Sequence, residues 1–328
     1  MVTLTPVLSS NGIPLEIGPE ALGELRDANS LLGDPEALRQ RMADDGYLLL
    51  RGLVDRDKVL EARRELLLKY ATVGEIDSIN HPLMDGIQSQ HTFVDSVNLI
   101  AFTESLRTGL AYTSVVEAPE LLSFFEDFLG GPVHIWDFRW VRLMRPGEAT
   151  GMHCDSPYAT RGTKNVWSAW IPIGDLRREE GALMILEGSH KNEELRESYG
   201  NLDADRDKLG WLSTDPPALR RSLGGRWLTT DFRAGDIMVF SMYLVHGSLD
   251  NNSPEGRCRL TSDVRYQLLS DPVDERWNGD DISNPHGGTP KVFLPGRPLG
   301  NDNKEFGDEW KEVDELGRLA EPVSAVRS

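Results

Sequence analysis

Met152-His153-Cys154-Asp155-Ser156-Pro157-Tyr158 carries the chemistry that decides how this 328-residue chain is read. His153 and Asp155 are two apart. In a strand, side chains at i and i+2 share a face, so an imidazole and a carboxylate stand side by side while Cys154 turns the other way. Such a pair supplies two of the three ligands of a 2-His-1-carboxylate triad, which holds Fe(II) and leaves positions open for a co-substrate and O2. A lone His-x-Asp is easily met by chance, and it gains weight only from residues further along the chain.

The third ligand must be a distant histidine, and the chain has seven in all. His246 lies in Asp236-Ile-Met-Val-Phe-Ser-Met-Tyr-Leu-Val-His246-Gly-Ser-Leu-Asp-Asn-Asn252. This apolar run reads as one or two buried strands ending in a turn at Asp250–Gly256. Arg257-Cys-Arg-Leu-Thr-Ser-Asp-Val-Arg-Tyr-Gln267 reads as the returning strand. A hairpin brings Arg257 or Arg259 back beside His246, and the two share a strand face. An arginine in a mostly apolar strand needs an anionic partner, because an unpaired buried charge is very costly. A metal-bound dicarboxylate co-substrate is such a partner for a guanidinium fork.

His153-x-Asp155, then His246, then Arg257 eleven residues later, resembles the phytanoyl-CoA dioxygenase family. Further pieces fit: Trp140-Val-Arg-Leu-Met-Arg-Pro-Gly-Glu148, Trp167-Ser-Ala-Trp-Ile-Pro-Ile-Gly-Asp175, and Glu180-Gly-Ala-Leu-Met-Ile-Leu-Glu-Gly-Ser-His190. The resemblance spans residues 35–270. It implies a mainly β fold with flanking helices, in which N-terminal α/β elements precede a double-stranded β-helix (jelly-roll, cupin-like) core. It implies an Fe(II)/2-oxoglutarate-dependent dioxygenase with His153, Asp155 and His246 on the iron. The far carboxylate of 2-oxoglutarate is then expected on Arg257, by its spacing from His246. Arg259 is the alternative, since Arg259-x-Thr261 matches a pattern that other 2-oxoglutarate oxygenases use with serine. Ser248 and Ser168 are expected to assist. Trp170 shares the face of Ser168 toward the co-substrate, although a core tryptophan with a small neighbour is the plainer reading. Tyr158 is a candidate substrate contact. Succinate and CO2 leave, and an unactivated C–H of a small metabolite becomes an alcohol. Related halogenases carry a small residue at the position of Asp155, so the carboxylate favours hydroxylation, or desaturation or cyclisation. Two other classes use a similar site: a zinc-dependent hydrolase, which leaves the hairpin arginine unexplained, and a cupin-like binding protein without turnover, whose sign would be a replaced ligand.

The rest of the composition sets bounds. Eight tryptophans and 39% hydrophobic residues are ample for a core. No apolar run reaches transmembrane length, and the first residues lack the pattern of a signal peptide. The two cysteines, Cys154 and Cys258, fall in expected core strands, which points to free thiols and a cytoplasmic location. A net charge of −18 argues against nucleic acid and anionic membranes as partners. A small-molecule substrate is the expected partner. Oligomeric state is not read from the sequence.

Taken in order, the chain reads as a single domain. Residues 1–33 form an irregular leader. Asp34 caps a helix from Pro35 to about Asp45 that Gly46 stops. Tyr47–Gly52 is a strand and Asp55 to about Tyr70 a second helix. Residues 74–100 are an irregular loop whose His81 and His91 are surface or packing residues, or else touch substrate. Glu117–Leu129 is helical, and Val133–Met144 is one core strand with a structural His134. His190 serves structure rather than metal. Residues 191–226 are a charged insertion, a lid or a solvated face, with a basic cluster at Arg220, Arg221 and Arg226. Residues 271–328 are a wrapping extension.

Overall fold

The computed structural model describes residues 7–90, 97–159, 161–207, 210–279 and 292–293. The leader is tied down rather than frayed. Ser9–Ser10 pairs with Ile13–Pro14, and Leu22–Glu24 forms strand β1. Helix α1 (Pro35–Asp45) starts where the Asp34 carboxylate accepts the Ala37 N–H at 3.0 Å, with proline in the first turn. It ends at Gly46, whose φ of 80° is open to glycine at little cost. Strand β2 (Tyr47–Leu50) and helix α2 (Arg56–Thr72) come after it.

Helices α3 (Leu99–Arg107), α4 (Leu110–Val116) and α5 (Pro119–Leu129) come next. The sequence announces α5 through its proline start and Gly130 stop. It does not announce α4, whose Tyr, Thr and paired Val favour strands. Packing overrides that preference: the Glu65 carboxylate of α2 accepts the Tyr112 N–H, and Tyr112, Val115 and Val116 are buried.

Eight further strands build the barrel: β3 (Val133–Ile135), β4 (Trp140–Met144), β5 (Trp167–Pro172), β6 (Leu183–Leu186), β7 (Trp227–Thr229), β8 (Ile237–Ser241), β9 (His246–Ser248) and β10 (Arg259–Leu268). One sheet runs β2-β8-β5-β10-β3, with β4 also on β10. The facing sheet runs β9-β6-β7-β1. All pairings are antiparallel except β7 with β1. This is the double-stranded β-helix. The expected single strand over Val133–Met144 is two strands. They part because the Trp136 N–H reaches the Arg265 carbonyl while the Phe138 N–H leaves the sheet for the Trp277 carbonyl.

Strand β10 shows how the layers are arranged. Nine of its ten residues are buried, so both faces are covered. One face meets the helices: Tyr266 stacks on Phe125 of α5 with ring centroids 3.9 Å apart, and Ser262 shares a 2.6 Å hydrogen bond with Tyr112 of α4. The other face carries Arg259, Thr261, Asp263, Arg265 and Gln267 into the barrel. The interior of this barrel is therefore polar along its longest strand.

The insertion is built of short helices at Glu193–Glu197, Ala204–Asp207 and Pro216–Leu223. Its arginines are engaged at the surface: Arg220 and Arg221 pair with Glu16, and Arg226 with Glu187. The solvated-face reading of that cluster is the one the structure supports. No described helix is long and apolar enough to cross a membrane.

Gly46 joins the first helix to the barrel. A Cβ there would lie 2.5 Å from Nδ1 of His190, whose Nε2 sits 3.1 Å from the Ala43 carbonyl oxygen. Gly46→Ala is expected to destabilise the fold by about 2 kcal/mol or more through left-handed strain and this clash. Gly46→Ala combined with His190→Ala should cost less than the sum of the two single changes in urea denaturation, because the second removes the obstacle to the first.

Candidate active site

The site is assembled by one backbone contact. His153 and His246 face each other across an antiparallel bridge, with N–H···O distances of 2.9 and 2.8 Å in the two directions. The bridge continues the β9-β6 pairing, in which His246 lies opposite Ile185. It brings the two imidazole centroids to 4.3 Å. Asp155 closes the group, its Oδ1 lying 3.7 Å from Nε2 of each histidine. One ligand atom from each of the three residues lies within 4.8 Å of the others. Nδ1 of His153 is 2.9 Å from the Gly151 carbonyl oxygen, and Nδ1 of His246 is 3.0 Å from that of Leu244. An Nδ1–H donated to a carbonyl leaves the Nε2 lone pair aimed at the shared space, the tautomer a metal requires.

Strand periodicity accounts for His153 but not for Asp155. Pairing stops at His153. Asp155 has helical backbone angles (φ −77°, ψ −17°) and opens the short turn Ser156–Tyr158. Cys154 is buried between them, and burial pushes its thiol up to about 12, so it stays protonated and apart from the group.

Electrostatics hold Asp155 and His153 in their ligand forms. Burial alone would raise the Asp155 carboxyl. The Arg265 guanidinium, the two imidazoles and the Ser168 hydroxyl outweigh it and keep the group well below the usual carboxylate range. Burial, with His246 alongside, pulls His153 down to about 3. A neutral imidazole and an ionised carboxylate therefore coexist at neutral pH.

The other expected site residues divide. Arg257 is exposed. It belongs to the turn, where the Ser253 hydroxyl takes its N–H, the Asn251 amide holds its carbonyl, and Ile87 is its bridge partner. Strand parity fails there because β10 begins at Arg259. Arg259 is 3% exposed, and one Nη1 contact to the Gly181 carbonyl at 2.6 Å is its hydrogen bond. Its Nε and the Thr261 hydroxyl beside it are buried without hydrogen-bond partners among the described residues. Burial lowers its guanidinium to about 10. A cation and a hydroxyl left open in this way fit a carboxylate arriving from outside the protein.

Ser248 is buried, but its Oγ accepts the Thr150 N–H at 2.8 Å, so the hydroxyl serves the backbone. Ser168 donates to Asp155 Oδ2 and thus acts on the carboxylate. Trp170 is packed in the core, its ring centroid 4.8 Å from that of Phe232. Tyr158 meets His153 edge-on at 6.1 Å between centroids, and its hydroxyl reaches the Gly210 carbonyl of the insertion. His81 is exposed, His134 bonds Asn278, and His91 lies outside the described residues.

Sequence reasoning missed Arg265, Asp263 and Arg142. Arg265 donates to Asp155 Oδ2 at 2.8 Å, and Arg142 to Asp263 at 2.8 Å. The signal was present in the alternation Arg259-x-Thr261-x-Asp263-x-Arg265-x-Gln267, a polar face on a strand buried on both sides.

Comparison with known proteins identifies the family. The model of the phytanoyl-CoA dioxygenase family (PhyH) matches residues 42–258. A 1-deoxypentalenic acid 11-beta-hydroxylase of Streptomyces exfoliatus is 25% identical over 264 residues, covering 76% of this chain and 87% of that protein. The hydroxylase of the same name from Streptomyces arenae is 26% identical over 260 residues, with the same coverage. Among solved structures, the epimerase SnoN in complex with Fe3+, alpha ketoglutarate and nogalamycin RO superposes with a TM-score of 0.51 at 20% identity, over 83% of this chain and 97% of that one. The carbocyclase SnoK from nogalamycin biosynthesis superposes with a TM-score of 0.51 at 19% identity, over 85% and 98%.

The depressed basicity of His153 has a consequence for the metal-free protein. Below its ordinary 6.5 the unfolded chain takes up a proton there that the folded chain refuses until about 3. Stability therefore rises with pH across that window and is lost on acidification. Between pH 8 and 5, with a chelator present, wild type is expected to lose about 1–2 kcal/mol more stability than His153→Phe. Parallel losses in chemical denaturation would show that the folded ring takes up its proton at an ordinary pH.

Proposed function

Because the chain belongs to the phytanoyl-CoA dioxygenase family and is an Fe(II)- and 2-oxoglutarate-dependent dioxygenase, we propose that His153, Asp155 and His246 hold its iron and that Arg259 receives its 2-oxoglutarate. The observation that carries the assignment is the convergence of two Nε2 atoms and one carboxylate oxygen in a single buried space. Bound there, iron and 2-oxoglutarate supply the oxidising chemistry: O2 is split between a substrate hydroxyl group and the carboxylate of succinate, with release of CO2.

Each step left to the protein is one of placement. The carbonyls of Gly151 and Leu244 fix the histidine tautomers. Arg259 and Thr261 offer a charged and a neutral donor for the far carboxylate of the co-substrate, and Arg257, out in the turn, has no part in it. Trp170, Phe240, Leu244 and their neighbours close one side of the site with apolar side chains and exclude water.

The substrate we propose is a small metabolite hydroxylated at an unactivated carbon. Support comes from two relatives, matched over 87% of their own length, that are named as hydroxylases of 1-deoxypentalenic acid. Partly exposed Trp140 and Arg142 share the inner face of β4, opposite Asp263 and Thr261, and offer an aromatic surface beside a polar one to such a molecule. The acidic character of the chain makes nucleic acid and anionic membranes poor partners.

Anaerobic addition of Fe(II) and 2-oxoglutarate to the metal-free protein is expected to give a visible charge-transfer band. His246→Ala should abolish it. Arg259→Ala should raise the 2-oxoglutarate needed for half the band by about tenfold or more, from loss of a charge-assisted pair. Arg257→Ala should leave the titration unchanged. A reversed result for the two arginines would return the co-substrate to the turn. Tight zinc binding with no band in wild type would sink the oxygenase assignment of these residues.

A further inference from the structure

We infer that Arg265 is a positioning residue for the reaction: with Ser168 it occupies Oδ2 of Asp155, so that Oδ1 alone is presented to the metal. The inference rests on the reading of Asp155 as an iron ligand. Arg265 Nη2 donates to Oδ2 at 2.8 Å, and the Ser168 hydroxyl donates to the same oxygen. The other oxygen, Oδ1, stands 3.7 Å from both histidine Nε2 atoms and is the one turned toward them. Both donors arrive together because Arg265 of β10 lies directly opposite Ser168 of β5 in the sheet register.

The arrangement is expensive in a way that simple stability does not explain. Arg265 is 6% exposed, yet its Nε and Nη1 are buried without hydrogen-bond partners among the described residues. A buried donor left unsatisfied costs about 1–3 kcal/mol. The guanidinium is steadied instead by the face of Trp140, 4.8 Å from its carbon to the ring centroid. An apolar residue would pack this place with less penalty. What the guanidinium adds is a fixed, directional donor to one carboxylate oxygen.

Coordination arithmetic gives that donor its purpose. A six-coordinate iron that takes two imidazoles and one carboxylate oxygen keeps three positions, two for a chelating 2-oxo acid and one for O2. A carboxylate binding through both oxygens takes one of those three. Holding Oδ2 away from the metal preserves the third position. Arg259 and Arg265, six residues apart on one strand face, then have separate tasks, one on the co-substrate and one on the ligand.

The test uses cobalt(II) as the probe in the full chain, without turnover. Arg265→Met keeps volume and contact with Trp140 but removes the donor. Folded Arg265→Met is expected to bind cobalt(II), to show altered d–d absorption before any 2-oxo acid is added, and to bind 2-oxoglutarate about tenfold more weakly once loaded, the loss of one hydrogen bond to a charged group. Arg265→Lys should return the absorption toward wild type. Ser168→Ala, which removes the other donor to Oδ2, should change the absorption in the same sense and serves if Arg265→Met does not fold. Unchanged absorption and unchanged 2-oxoglutarate affinity in folded Arg265→Met, or in Ser168→Ala where only that variant folds, would overturn the inference. If wild type itself gives no cobalt(II) spectrum, the ligand assignment fails first and the inference with it.

Discussion

The reciprocal hydrogen bond between the backbones of His153 and His246 is the constraint on which the site depends. It is the point where the chain segment that carries Asp155 joins the smaller sheet. Residues nearly a hundred positions apart are thereby held in register, and their imidazoles with them. The same segment is pinned from its other side, where Met152 pairs with Ser213 of the insertion. Gly151 lies so close to Trp211 that a Cβ would come within 2.2 Å of the indole. Gly247, on the His246 strand, lies close to Met152, whose sulfur would be 2.7 Å from a Cβ. The two glycines leave room for the Trp211 indole and the Met152 side chain beside the segments that carry the histidines.

The second constraint is the polar inner face of β10. A strand covered on both sides normally reads as a continuous apolar run. Here Leu260, Val264 and Tyr266 face the helices, while Arg259, Thr261, Asp263, Arg265 and Gln267 face inward. Each inward group has a different answer to the cost of burial. Gln267 accepts the Trp136 indole N–H at 2.7 Å, Asp263 pairs with Arg142, and Arg265 pairs with Asp155. Arg259 and Thr261 are left with open donors. Arg265, despite its pair, also keeps two buried nitrogens without partners among the described residues, so the inner face combines the satisfied Gln267 with groups whose donors are open, and open donors are where a ligand has most to offer.

Legibility in the sequence tracks the range of the interactions involved. The first helix is legible to the residue at its start, because Asp34, Pro35 and Gly46 act locally. The group of His153, Asp155 and His246 is legible because its residue types are rare and chemically particular, with seven histidines to choose among. Arg257 lies outside β10 because strand parity does not extend into the turn. The side chains of Asn251 and Ser253, which hold Arg257 outside β10, leave no periodic trace. Helix α4 is hidden because its residues favour strands and only contacts with α2 keep it helical. Ser168 is expected on the co-substrate, but it serves Asp155 beside its register partner Arg265, a pairing that exists only once the sheet is formed.

Asp155 shows most clearly why a ligand set needs more than its ligands. Its backbone leaves the strand at once, so pairing does not fix it. The turn it opens is held from the far side, where Arg276 and the Trp277 indole both donate to the Tyr158 carbonyl, at 3.1 and 2.6 Å. Arg276 also pairs with Asp274 and with Asp205 of the insertion, and Arg161 with Asp203. The Asp155 turn is therefore clamped between the insertion and the segment after β10. Arg276 and Asp274 are buried, so their pair resists screening by salt better than the partly exposed pairs of Arg161 do. The insertion, read from its composition as a solvated face, has a structural task on its inner side. It holds the carboxylate turn in place, and the arginine of β10 then selects which oxygen of that carboxylate faces the two imidazoles.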